Sequence, residues 1–143
     1  MTPALHDWLL SRHQAVLVTL RADGSPQTSN IAFAYDGAVA RVSVTADRAK
    51  TRNLRRDPRA VLHVLGDSFW EYASISVVAE LTEVTARSGD PTGRELLALY
   101  DAISATPHPD PAEFFAAMVG EQRLVLRLTP GSAVSNGLTL SPG

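Results

Sequence analysis

Short runs in which apolar or β-branched residues alternate with polar ones recur along most of this chain, and they limit its fold more than any other feature. In "AVARVSVT" (38–45), Ala40, Val42 and Val44 alternate with Arg41, Ser43 and Thr45, the period of a strand with one apolar face. "QRLVLRLT" (122–129) repeats the pattern, with Leu124, Leu126 and Leu128 against Arg123, Val125 and Arg127. "QAVLVTLR" (14–21) and "QTSNIAFAYD" (27–36) flank the turn "ADGSP", which reads as a hairpin. "AVLHVLG" (60–66) and "WEYASISVVAELTEV" (70–84) add two strands, the second long enough to bend or bulge. About six strands with two or three short helices predict a mainly β chain, an antiparallel sheet closed or nearly closed into a barrel. The tail beyond Pro130 carries only weak signals.

Helix signals sit between the strands. Thr2 and Pro3 form a cap and first position ahead of Leu5, Trp8 and Leu9 on one helical face. Asp90 and Pro91 open "DPTGRELLALYDAIS", with Leu96, Leu97 and Tyr100 as its apolar stripe. Asp110 and Pro111 open "DPAEFFAAMVG", with Glu113 expected to close a capping box and Gly120 to stop the helix. A fourth helical stretch begins near Ala49, and Pro58 marks its end.

At 143 residues, residues 1–143 fit one domain with a real core. No apolar run approaches the roughly 20 residues of a membrane span, and "MTPALHDWLLSRH" lacks a basic leader and a small-residue cleavage site, so a cytoplasmic protein without a membrane partner is expected. The absence of cysteine excludes disulfides, thiol nucleophiles and thiolate metal sites. His6, His13, His63 and His108 share no short metal-ligand spacing, and no metal site is expected. Nucleophile-elbow, phosphate-loop and G-x-G-x-x-G motifs are absent, and no catalytic side chain can be named.

Charge is distributed unevenly. "DRAKTRNLRRDPRAV" (47–61) holds six basic residues between 48 and 59 against Asp57, while the rest of the chain holds seven basic and fourteen acidic residues. A locally basic segment on an acidic protein argues against a nucleic-acid partner and for a small anion. Helical spacing gathers Arg48, Arg52, Arg55, Arg56 and Arg59 on one broad face, while Lys50, the only lysine, projects elsewhere. A strand-to-helix turn ahead of Lys50 would add backbone N–H groups at a helix N-terminus. The competing reading is a solvated basic face paired with the acidic remainder.

"RAKTRNLRRDPRA" (48–60), preceded by "DGSPQTSN" (23–30) and "RVSV" (41–44) and followed by "WEYASISVVAELT" (70–82), resembles the actinobacterial deazaflavin-dependent reductases. These are coenzyme F420-dependent members of the pyridoxamine 5'-phosphate oxidase-like split β-barrel superfamily, and the resemblance runs from residue 5 to about 130. It implies an antiparallel split barrel that forms a homodimer with cofactor sites at the subunit interface. It also implies hydride transfer between coenzyme F420 and a conjugated, fairly flat small molecule; FMN is the alternative cofactor on the same fold, and a non-catalytic F420 carrier or sensor the alternative role. By the same resemblance, Arg48, Ala49, Lys50 and Thr51 hold the cofactor's phosphate and nearby carboxylates. Ser43 and Val44 lie against its side chain, and Pro26, Gln27 and Asn30 lie beside the ring. Trp70, and with it Tyr72, comes from the partner subunit, while Arg52, Arg55 and Arg56 meet the polyglutamate tail or serve structure. In an unbroken strand Gln27 and Asn30 face opposite sides, so both meet one ring only if the strand starts after Gln27 or a bulge intervenes. Trp70 also reads as core or interface filler, and Ser43 as an outward strand residue.

Overall fold

The computed structural model describes residues 1–138. Seven strands form one antiparallel sheet: β1 (Gln14–Leu20), β2 (Pro26–Ala32), β3 (Ala34–Tyr35), β4 (Ala40–Thr45), β5 (Arg59–Leu65), β6 (Tyr72–Leu81) and β7 (Arg123–Asn136). Their order across the sheet is β2-β1-β5-β6-β7-β4-β3. The two edges are joined by the chain itself. β2 pairs with β1 down to Gln14↔Ala32, Phe33 N–H donates to the His13 carbonyl, and one residue later β3 pairs with β4 through Ala34↔Arg41. One nearly continuous strand thus serves both edges, and the sheet curls into a barrel that stays split between β2 and β4. Phe33, at the point of exchange, is 0% exposed. The six strands expected from sequence are these seven elements, with the stretch 26–35 divided at Phe33.

Inward residues follow the period of two. Leu17, Val42, Val44, Leu62, Val64, Ile75, Leu124, Leu126 and Leu128 meet in the barrel with Phe33. Burial of side chains of this kind stabilises by roughly 1.5–3 kcal/mol each. α1 (Pro3–Leu10) adds Leu5, Trp8 and Leu9 near the start of β1, and α2 (Ala49–Arg56) adds Leu54 at the other end, where Arg56 reaches the Leu20 carbonyl. α3 (Pro91–Ser104) and α4 (Pro111–Gly120) instead cover the outer face of β4 and β7, with Leu96 and Phe114 packed on Val125.

Four helices form, one at each of the four stretches marked from sequence and one more than the count of two or three. Thr2, Asp90 and Asp110 cap theirs through the side chain, as read from sequence. Two details differ. The Asp110 N–H donates to His108 Nδ1 at 3.0 Å, so Glu113 does not complete a capping box. Gly120 is the last helical residue rather than the stop; the turn to the left-handed region comes at Gln122, with φ 55°. The segment beyond Pro130 is strand after all. β7 continues to Asn136 because the register with β6 shifts between Ile75↔Ala133 and Val77↔Pro130, a bulge that accommodates a residue without an N–H. β6 begins at Tyr72, which leaves Trp70 in the β5–β6 connection.

α3 is tied to the sheet by charge. Glu95 accepts from Arg127 Nη2 at 2.6 Å and Nε at 2.9 Å, and from Arg41 Nε at 2.9 Å. Arg127 and, next, Arg41 hold the Glu95 carboxyl below its ordinary range against the opposing effect of burial. A depressed carboxyl contributes stability above its unfolded pKa and loses it as pH falls through the folded value. Glu95→Gln should therefore cost about 1–2 kcal/mol near neutral pH in denaturant unfolding, given what a charged hydrogen bond contributes. The gap from wild type should close as the pH drops below the usual glutamate value of 4.5.

Candidate functional site

The ends of β4 and β7 and the start of α2 meet in a cleft of about 510 Å³ lined by Thr45, Asp47, Arg48, Ala49, Glu121 and Arg123. Arg48 is the N-cap of α2 yet makes no side-chain cap bond, so α2 is the one helix of the four without a side-chain cap. The first turn of a helix leaves backbone N–H groups without intrahelical acceptors, and here they belong to Ala49, Lys50 and Thr51. The partial positive charge of that terminus adds to the side-chain cations around it.

The basic run is divided by its contacts. Arg52 donates to the Asp47 carbonyl at 2.6 Å, Arg56 to the Leu20 carbonyl and to Asn53 Oδ1, and Arg59, on β5 rather than the helix, pairs with Asp57 at 2.8 Å. Among the described residues the side chains of Arg48, Lys50 and Arg55 have no hydrogen bond or ion pair. Among the described residues the run thus makes no ion pair with the acidic remainder; Arg59 pairs with Asp57, inside the run. Lys50 is not one of the side chains that line the cleft; burial, then repulsion from Arg48 and Arg123, holds its ammonium below the ordinary lysine pKa. In the cleft wall, Thr45 Oγ1 is a buried hydroxyl without a hydrogen-bond partner. Cations, a hydroxyl and free N–H groups make a donor set suited to phosphate or carboxylate.

The other residues singled out from sequence fall into three groups. Ser43 Oγ faces outward and accepts from Arg123 Nη1 at 3.2 Å, beside the cleft. Val44 is 1% exposed in the barrel core with its main chain paired to Leu124, and Thr51 is 0% exposed with its hydroxyl donating to the Thr45 carbonyl at 2.8 Å, so of the two only the Thr51 N–H is left to meet a ligand. On β2 the strand starts at Pro26 and pairs one-to-one with β1, without a bulge, so Gln27 and Asn30 face opposite sides. Gln27 turns in under α2 and accepts from Asn53 Nδ2 at 3.0 Å, while Pro26 and Asn30 are exposed on the outer face. The two amides are not brought to one point.

Trp70 is 69% exposed and stacks edge-on against Phe69, itself 83% exposed. Its carbonyl accepts from Asn136 at the far end of β7. Arg123 begins that 14-residue strand, whose extended length is on the order of 40 Å. Within one chain, Trp70 and the cation cleft lie at opposite ends of the barrel.

Arg123 and Asn53 were not marked from sequence as site residues. Alternation along the last strand marks Arg123 as outward, but only the register Thr45↔Arg123 carries it to the cleft. Asn53 had no local signal; its amide also donates to Thr19 Oγ1 and anchors α2 to β1. Among the described residues no three His, Cys, Asp or Glu side chains gather as a metal site. No helix among them is long and apolar enough to cross a membrane.

Known proteins share this architecture. A solved structure named F420 reductase is 29% identical, with a TM-score of 0.70 over 93% of this chain and 98% of its own. A conserved hypothetical protein of Mycobacterium tuberculosis, 22% identical with a TM-score of 0.73 over 100% of this chain and 92% of its own, shares the fold. An F420H(2)-dependent biliverdin reductase of M. tuberculosis is 38% identical over 65 residues, 44% of this chain; the match spans about half of that relative's length, 47%. The family described as pyridoxamine 5'-phosphate oxidase matches residues 1–132, from α1 through all but the tip of β7. With the curled sheet, the helix entering at Ala49 and this match in agreement, the chain belongs to the pyridoxamine 5'-phosphate oxidase family.

Proposed function

We propose that this chain is a coenzyme F420-dependent oxidoreductase, working as a homodimer on a conjugated, fairly flat small molecule. The observation that carries the reading is the convergence of Arg48 and Lys50, without carboxylate partners, on the uncapped N-terminus of α2. It is supported by the likeness to an F420 reductase over nearly the whole chain. The biliverdin reductase match supports a conjugated substrate, although it covers less than half of each chain.

When bound, the deazaflavin supplies a two-electron hydride transfer at its carbon 5, and the protein's part is binding, orientation and exclusion of water. Arg48 and Lys50 would grip the phosphate, with the N–H groups of Ala49, Lys50 and Thr51 completing its coordination. An anion there would relieve the repulsion from Arg48 and Arg123 that adds to burial in depressing Lys50. Exposed Pro26 and Asn30 remain available to the ring. Gln27 would have to release Asn53 to join them, so its role is better read as holding β2 to α2.

The homodimer rests on two features. Leu65, Val78 and Val134 are large apolar side chains exposed on the outer face of β5, β6 and β7, and the connection before β6 exposes Phe69 and Trp70. A second copy covering this face would bury them. It would also let Trp70 of one subunit approach the cleft of the other, which it cannot reach in its own.

One observation favours FMN as a second reading. Arg52, Arg56 and Arg59 are engaged by their own protein, which leaves fewer free cations for a long anionic tail than the sequence count implies. Parallel titration of the purified protein with coenzyme F420 and FMN, read by quenching of Trp8 and Trp70 fluorescence, decides between them. Tighter binding of F420 is expected; tighter binding of FMN, or of neither, would sink the main reading. Turnover of biliverdin, quinones or conjugated lactones by the reduced complex separates an enzyme from a carrier.

Lys50→Glu should weaken cofactor binding at least tenfold, about 1.4 kcal/mol, because attraction becomes repulsion at the phosphate. Unchanged affinity would remove Lys50 from the site. Mixing Lys50→Glu with Trp70→Ala chains after joint refolding should rebuild about one intact site in four, since a mixed dimer joins the sound Lys50 of one chain to the sound Trp70 of the other. No recovery above the two parents would show that Trp70 does not act across the interface.

A further inference from the structure

We infer that Arg123 is a third binding residue of the anion site, placing its guanidinium on the phosphate or adjoining carboxylate of the cofactor. This rests on the reading of the cleft as a cofactor anion site, whichever flavin fills it. Arg123 reaches the same cleft as Arg48 because β4 and β7 are in register at Thr45↔Arg123, and paired residues face the same side, which sets Arg123 beside Thr45. It lines the same cavity as Arg48 and Ala49, and its charge is close enough to disfavour the charged form of Lys50. Two cations from distant parts of the chain, Arg48 and Arg123, therefore face one space, and Lys50 is near enough to feel the charge of both.

The contacts Arg123 already makes leave it available. Nε donates to Glu121 Oε1 at 3.0 Å, but that carboxylate is 46% exposed and only two residues away, a pair of small energetic weight. Nη1 donates to Ser43 Oγ at 3.2 Å, which sets the plane of the guanidinium along β4. Nη2 has no partner among the described residues. A guanidinium so oriented can add a donor to a phosphate held by Lys50 and the helix terminus, and its planar fork favours oxyanions. Asp47 and Glu121 stand at the rim as the carboxylates an incoming anion must displace or bypass.

A purely structural Arg123 would behave differently from one that touches the anion. The measurement compares Arg123→Gln and Arg123→Lys with wild type for two pairs of ligands: coenzyme F420 against its ribityl deazaflavin fragment without phosphate, and FMN against riboflavin. Arg123→Gln should weaken binding of the phosphate-bearing member of the preferred pair at least tenfold, with the phosphate-free member changed less than twofold and Arg123→Lys recovering part of the loss. The salt dependence of binding should also become shallower in Arg123→Gln. Equal losses for both members of a pair, or no loss for either, would overturn the assignment. If wild type prefers FMN, the F420 reading fails while the FMN and riboflavin pair still tests Arg123. If wild type binds none of the four, both readings fall.

Discussion

The architecture depends on one exchange of hydrogen-bonding partners at Phe33. Up to Ala32 the strand belongs to β1; after Phe33 it belongs to β4, and the residue at the corner is sealed in the core. Were the strand to continue on β1, β3 would not meet β4 and nothing would link the two edges of the sheet. That link holds β4, paired with β7 through its own register, in the curled sheet, where both strand ends meet α2. The cation cleft is thus a consequence of barrel geometry, not of the basic run alone.

Within that frame the basic run separates by environment. Arg56 and Arg59 satisfy neighbouring carbonyls and a carboxylate, and Arg52 closes on the loop before its own helix. Arg48 and Lys50 have nothing comparable, and the helix they introduce lacks the side-chain cap that Thr2, Asp90 and Asp110 give to the other three. Crowded like charge at an uncapped terminus costs stability in the absence of an anion. The proposed anion site rests on this arrangement, which the other three helices do not share.

Several features were legible in the sequence because their causes lie within a few residues. Strand alternation, the Asp-Gly hairpin and the capping residues with proline behind them each express a local rule, and each appears where the sequence placed it. Misreadings arose where a group outside the motif, near or far, took up the same backbone positions. Glu113 does not close its box because His108 reaches the Asp110 N–H first. The tail past Pro130 joins the sheet because a bulge against β6 absorbs the proline. Gln27 and Asn30 were flagged by alternation as facing opposite sides, and the unbroken β2 keeps them so.

The sequence by itself determined a mainly β barrel with capped helices and a cationic segment between its third and fourth expected strands, since periodicity, caps and charge are properties of neighbouring residues. Only the tertiary structure decided which cations remain available and what stands opposite them. Arg123 meets Ser43 across 80 residues of chain, through the register of β4 and β7. Register is set by how a whole sheet buries one face, and no local stretch of sequence contains it.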